Sequence, residues 1–227
     1  MGGWLVGLPL TSAPIAFFLA RDHGPHFAAA AAVGILAGTA SQAAFCLAYA
    51  RTALRARWPA ALAAGSLAFA LATLAFRWLP LSLVPLAVVA VASLLAARAL
   101  MPPSTAPSRA GASLPWWDLP ARMVVTTAFV LLLTGVASEL GPHLTGLVTP
   151  FPLYAAALVV FTHALEGPAR AAGVLRGLLL GLYCFVGFFF VLALLLERAG
   201  IALAFSAAAA VALAVQGAAL WVLRHQS

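Results

Sequence analysis

The feature that most constrains this chain is its succession of apolar runs, each close to the thickness of a bilayer and carrying at most one arginine. A helix needs roughly 20 apolar residues to cross a ~30 Å hydrocarbon core. Runs of that kind cover residues 4–20, 27–50, 58–76, 81–97, 119–137, 147–164, 174–196 and 201–222. They are continuously apolar and rich in Ala and Leu. A transmembrane β-barrel would instead need short strands alternating with a polar lumen face. The expected fold is therefore an all-α polytopic membrane protein with about eight transmembrane helices. Composition agrees: 65% of residues are apolar, 7% are charged, and the mean hydropathy is +1.09. A soluble domain carries about 25% charged residues, and a disordered chain needs low hydrophobicity with high charge.

The breaks between runs carry turn chemistry. Asp22-His23-Gly24-Pro25, Arg77-Trp78-Leu79-Pro80 and Glu166-Gly167-Pro168 are short, and Pro near the first helical position suits a helix start. The one long loop, rich in Pro, Ser and Ala, separates a first membrane half, residues 1–100, from a second half, residues 119–227, with a linker at 101–118. Trp116 and Trp117 close it as interfacial anchors.

Charge sets the expected orientation. The formal charge of +7 comes from arginine alone. With the N-terminus on one side, that side collects Arg51, Arg55, Arg57, Arg98, Arg109, Arg122, Arg170, Arg176 and Arg224. The other side holds Arg21, Arg77 and Arg198. Basic residues accumulate in cytoplasmic loops, so both termini are expected in the cytoplasm. The arginines read as topology signals, not as a nucleic-acid patch.

Two parts of the chain resemble each other. Gly7-Leu8-Pro9-Leu10-Thr11-Ser12-Ala13-Pro14 matches Gly146-Leu147-Val148-Thr149-Pro150-Phe151-Pro152, with Thr11 on Thr149 and Pro14 on Pro152. Gly24-Pro25 precedes Gly34 and Gly38 at the spacing by which Gly167-Pro168 precedes Gly177 and Gly181. Spans 1–3 thus pair with spans 6–8. Five crossings separate the copies, so the repeat is expected to be inverted, a recurrent plan of secondary transporters.

The second copy carries a family resemblance. Leu144-Thr145-Gly146-Leu147-Val148-Thr149-Pro150-Phe151-Pro152-Leu153-Tyr154-Ala155, then His163, Glu166-Gly167 and Leu175-Arg176-Gly177, resemble the GlpM family of small bacterial inner-membrane proteins. The resemblance runs from about Met123 to Leu223. It implies an integral protein of the bacterial inner membrane and names no substrate. The first half departs from the pattern: Ala13-Pro14 replaces Phe-Pro, and Val33 stands where the second copy has Arg176.

The candidate site follows from the Pro breaks. Proline inside a helix frees backbone groups, which in lipid must be met by protein or by water in a cavity. Pro14, Pro150 and Pro152 supply the breaks, and Thr11, Ser12 and Thr149 the neighbouring hydroxyls. Corresponding breaks in two halves point to a transport site; Pro near a helix start also has a purely structural use. His163 and Arg176 are the ionisable candidates. His163 serves either proton coupling or an interfacial hydrogen bond. Arg176 serves either an anionic solute or Glu166, or reaches the cytoplasmic interface. Gly34, Gly38, Gly177 and Gly181 form GxxxG pairs and are expected at close helix contacts. Gln42 and Gln216 are expected to face the bundle interior. No nucleophile–base pair, metal cluster or phosphate loop is present in the sequence, and Cys46 and Cys184 lie inside apolar runs. No enzyme activity, cofactor, metal or nucleic acid is expected.

These features lead to a small inverted-repeat transporter for a small polar or anionic solute, with its site between spans 1 and 6. The alternatives are a non-transporting membrane subunit or assembly factor, for instance in exopolysaccharide production, and a lipid-handling protein. The lipid bilayer is the expected partner, and the broad apolar faces leave room for a homodimer.

Overall fold

The computed structural model describes Pro9, residues 12–79, 82–102, Val124 and residues 151–225. The described chain is all α. Its helices are α1 Ser12–Asp22, α2 Pro25–Ala53, α3 Trp58–Trp78, α4 Leu83–Leu100, α5 Leu153–Glu166 and α6 Pro168–His225. Four of them, α2, α3, α4 and α6, are long and apolar enough to cross a membrane. Apart from Val124, the expected span 5, residues 119–137, and the linker from residue 103 onward lie outside the described residues.

Proline sets several helix ends. Pro25 and Pro59 occupy the first turns of α2 and α3, where a missing N–H has no intrahelical partner to lose. Leu79 and Met101 are extended at the ends of α3 and α4. Each precedes a proline, whose ring disfavours the helical region for the residue before it. The helices outrun the apolar windows, α2 to Ala53 and α4 to Leu100, because Arg51 and Arg98 continue the helix after the apolar run has ended.

α6 is 58 residues long and contains one non-helical residue, Gly200. A straight helix would put Gly187 and Val211 about 36 Å apart at 1.5 Å per residue. Yet a Cβ built on Gly187 meets Val211 Cγ1 at 3.2 Å and Val215 Cγ2 at 3.6 Å. The rings of Phe188 and Phe205 lie 6.2 Å apart. The element is therefore a helical hairpin folded at Gly200, with limbs over 168–199 and 201–225.

Named contacts give the helix directions. His26 opens α2 and Glu197 closes the first limb of α6; their side chains meet at 2.6 Å. At the other end, Tyr49 near the close of α2 meets His163 near the close of α5. There too Arg51 reaches the last carbonyl of α4. So α2 and the first limb of α6 are antiparallel, and α1 and α5, which precede them, run in opposite senses. Arg51, Arg55, Arg57, Arg98, Arg170 and Arg176 share one end of the bundle. Arg21 and Arg198 share the other with Asp22 and Glu197.

The core runs along these two antiparallel helices. Leu36, Phe45 and Tyr49 of α2, Leu94 of α4, Val159 of α5, and Leu175, Leu179, Phe189, Leu192 and Leu196 of α6 are all fully buried. Thr39 and Ser41 are buried too, and donate to the carbonyls of Ile35 and Ala37. Such back-bonding satisfies a hydroxyl without a partner from another helix.

Gly34 departs from the expectation of close packing. It is exposed, and a Cβ placed on it meets nothing within 4 Å. The spacing that made it one of a pair with Gly38 does not say which face points inward. Gly38 and Gly181 are buried and Gly177 is half-buried. A close glycine contact occurs at Gly65 of α3, where a Cβ would stand 3.0 Å from the Phe45 ring and 3.2 Å from the Phe45 carbonyl.

Candidate functional site

Two short helices, each followed by a glycine corner and a long helix, carry the candidate residues; α1 packs on α2 and α6, and α5 packs on α6 and α3. α1 has 11 residues and α5 has 14. At about 1.5 Å per residue, each covers only part of a ~30 Å core. α1 gives way to α2 at Gly24, with φ 89° and ψ 163°. α5 gives way to α6 at Gly167, with φ 91° and ψ 173°. Gly200, φ 78° and ψ 170°, repeats that geometry at the hairpin. This backbone region is essentially restricted to glycine. A Pro then starts the long helix in both the first and second cases.

The Pro candidates stand at helix starts. Pro14 is exposed in the first turn of α1, where Ala13 N–H already donates to the Pro9 carbonyl at 2.9 Å. Ser12 opens that helix and is half-buried. Pro152 is buried ahead of α5, with φ −78° and ψ 62°. Leu153 N–H donates to the Phe151 carbonyl at 2.8 Å across it. That is the geometry of an inverse γ-turn. α5 therefore begins at Leu153, not at residue 147. Thr11, Thr149 and Pro150 lie outside the described residues.

Phe151 anchors this turn among aromatic rings. Its ring meets Phe69 of α3 edge-on at 5.2 Å and Phe45 of α2 at 5.8 Å. Phe69 sits near the middle of α3, so α5 starts at mid-bundle depth and ends at the Arg51 end. α1 has a corresponding aromatic contact, Phe17 on Phe205 of the second limb of α6 at 5.5 Å.

His163 is buried, and its Nδ1 lies 3.2 Å from Tyr49 Oη. The two rings meet edge-on at 5.9 Å. Tyr49 is itself fully buried, so the pair ties the end of α5 to the end of α2 in a dry setting. A buried hydroxyl and a buried imidazole each need a partner, and each finds the other. Of the uses open to His163, the hydrogen bond is the one realised here.

Arg176 takes a partner that the sequence did not point to. Its Nη2 donates to the Met101 and Pro102 carbonyls, both at 2.8 Å, and its Nε to Pro102 at 3.3 Å. Arg51 donates through Nε and Nη2 to the Leu100 carbonyl at 3.3 and 3.1 Å. Two guanidiniums thus close the C-terminus of α4, whose last carbonyls have no helical partner and carry the negative end of the helix dipole. Glu166 lies 3.8 Å from Arg170 instead.

The structure brings His163 and Arg176 to one end of the bundle, Pro152 to mid-depth, and Ser12 and Pro14 to a helix running the other way. Tyr49, Arg51, Phe69 and Phe45 are the residues that sequence reasoning missed. The available signal was a tyrosine and an arginine in the last turn of an apolar span, where a polar tip must find a partner. No family model, curated protein or solved structure matches this chain.

Proposed function

We propose that this protein is a small membrane transporter built as an inverted repeat of about eight spans, with its solute site between α1 and α5. One observation carries the reading. Two short helices, ended by the same glycine conformation and followed by Pro, run in opposite senses against two antiparallel long helices. Ser12, with Thr11 and Thr149, supplies hydroxyls to a small polar solute. Pro152 and the turn around it leave α5 short of the full bilayer. Arg176 acts as a positioning residue through α4, so the bias toward anions rests on the general excess of arginine at its end. That excess supports placing both termini in the cytoplasm. The GlpM-like reading of the second half, and with it a bacterial inner membrane, belongs to the same proposal.

Labelling tests this without knowing the solute. In a Cys46→Ala, Cys184→Ala background, Thr11→Cys and Thr149→Cys are exposed to a membrane-impermeant thiol reagent from each face. A transporter gives labelling at both positions, with the accessible face depending on conformation. Absence of labelling at both, with the protein folded, removes the reading. Under the same proposal, the Pro14→Ala, Pro152→Ala double variant folds but loses flux in proteoliposomes.

A second reading has its own support. His163 and Arg176 are both engaged by partners within the chain. A non-transporting subunit or assembly factor would use such contacts only to hold its helices together, and both threonine positions would then stay unlabelled.

A further inference from the structure

We propose that the α2–α3 turn is a binding site for the phosphate headgroup of an anionic phospholipid, with Arg55 and Arg57 as its ligands and Leu54 and Trp58 as its apolar flanks. The turn is closed by its own backbone: Arg55 and Ala56 N–H both donate to the Thr52 carbonyl, at 3.0 and 2.9 Å. Both arginine side chains are left outward and exposed. Neither makes a hydrogen bond or ion pair with a described residue. By contrast, Arg51 and Arg176 at the same end are held by α4 carbonyls.

Charge at this end is unbalanced. Residues 23–117 contain no Asp or Glu. Among the described residues, the one carboxylate at that end, Glu166, lies beside Arg170. A basic cluster at the membrane face attracts anionic lipid at a strength that grows with each arginine. The flanks decide the source of the phosphate. Leu54 is 58% exposed and Trp58 is 40% exposed, on either side of the arginine pair. A free anion has no use for them. A phospholipid places its phosphate on the guanidiniums and its glycerol and upper acyl chain on the apolar pair, where tryptophan is at home. Each guanidinium presents a planar fork of donors matched to a phosphate.

The inference is independent of transport. The test is lipid retention by the full chain in detergent at low ionic strength, read by native mass spectrometry. Phosphatidylglycerol and phosphatidylcholine of equal chain length are offered, with glycerol 3-phosphate as a soluble competitor. Phosphatidylglycerol should be retained preferentially, the preference should fade as salt rises, and glycerol 3-phosphate should not displace it at equal concentration. Retention should fall about fivefold in Arg55→Gln or Arg57→Gln and about thirtyfold in the double variant. The Arg55→Lys, Arg57→Lys variant should recover most of it, and Arg21→Gln, Arg198→Gln should match wild type. Unreactive Cys46 and Cys184 certify the fold of each variant; if the glutamine pair fails that check, the salt titration of wild type decides. Equal retention of the two lipids, a salt-independent preference, full retention by the folded glutamine double variant, or equal displacement by glycerol 3-phosphate would each overturn the proposal.

Discussion

The two short-helix units share a backbone and differ in what surrounds it. α1 and α5 end at glycines of nearly the same conformation, and each feeds a long helix of the antiparallel pair. Around α5 the contacts are internal: Pro152 and His163 are buried, and Phe151 packs on two rings. Around α1 they are open: Phe17 is 40% and Phe18 is 55% exposed, and the histidines at its end, His23 and His26, are exposed. The same corner therefore serves one fastened helix and one loosely covered helix. Under the transport proposal, in which one repeat would rock against the other, the loosely covered element would be the mover.

This contrast can be broken by experiment. Cys46 and Cys184 are fully buried, so their reaction with a thiol dye on heating reports unfolding. The largest effect is expected from Phe69→Ala, which empties the space under Phe151 and should cost about 3 kcal/mol. Phe17→Ala on the α1 side should cost clearly less. Equal losses would mean that the two units are equally fastened.

Gly24→Ala, Gly167→Ala and Gly200→Ala come next, each about 1–3 kcal/mol, because the conformation they adopt is closed to a Cβ. No atom lies within 4 Å of a Cβ at these positions, so the loss would come from the backbone alone. A control is Gly34→Ala, which should be neutral or stabilising since the helix gains a better helix former. Arg176→Gln should cost about 1–2 kcal/mol by leaving the Met101 and Pro102 carbonyls unmet. Tyr49→Phe should cost about 1 kcal/mol, the net worth of one buried hydrogen bond. The smallest change is expected from His26→Asn. That exposed contact with Glu197 is screened by water, and its loss should stay below about 1 kcal/mol. A larger effect there would make the α1 corner as well tied as the α5 corner.

The helices were legible because lipid removes most alternatives. An uncharged run of about 20 residues has little else to be, and Pro80 and Pro102 mark the ends of α3 and α4 where a following proline forbids the helical region. The glycine-proline corners were legible as punctuation, and the match between them was visible as spacing. The contacts were not. Tyr49 and His163 are 114 residues apart, and nothing local says that their helices end side by side. Arg176 could be seen as a charge near a helix start, but its partners are carbonyls, which every residue has. Gly34 shows the limit of a spacing rule: a GxxxG pair states a distance along one helix and no direction in the bundle. Thr11 and Thr149 lie outside the described residues, so the hydroxyl part of the expected site rests on sequence.

The glycine corners have a mechanical consequence. Gly167 and Gly200 each join two helical segments alone, and Gly24 does so with only His23 beside it, so little slack separates the elements they join. Inserting one residue there would turn the downstream helix by about 100° about its own axis, given 3.6 residues per turn. A different stripe would then meet the neighbour. A tilt of α1 is likewise handed directly to the start of α2, the way a crank passes motion to its shaft.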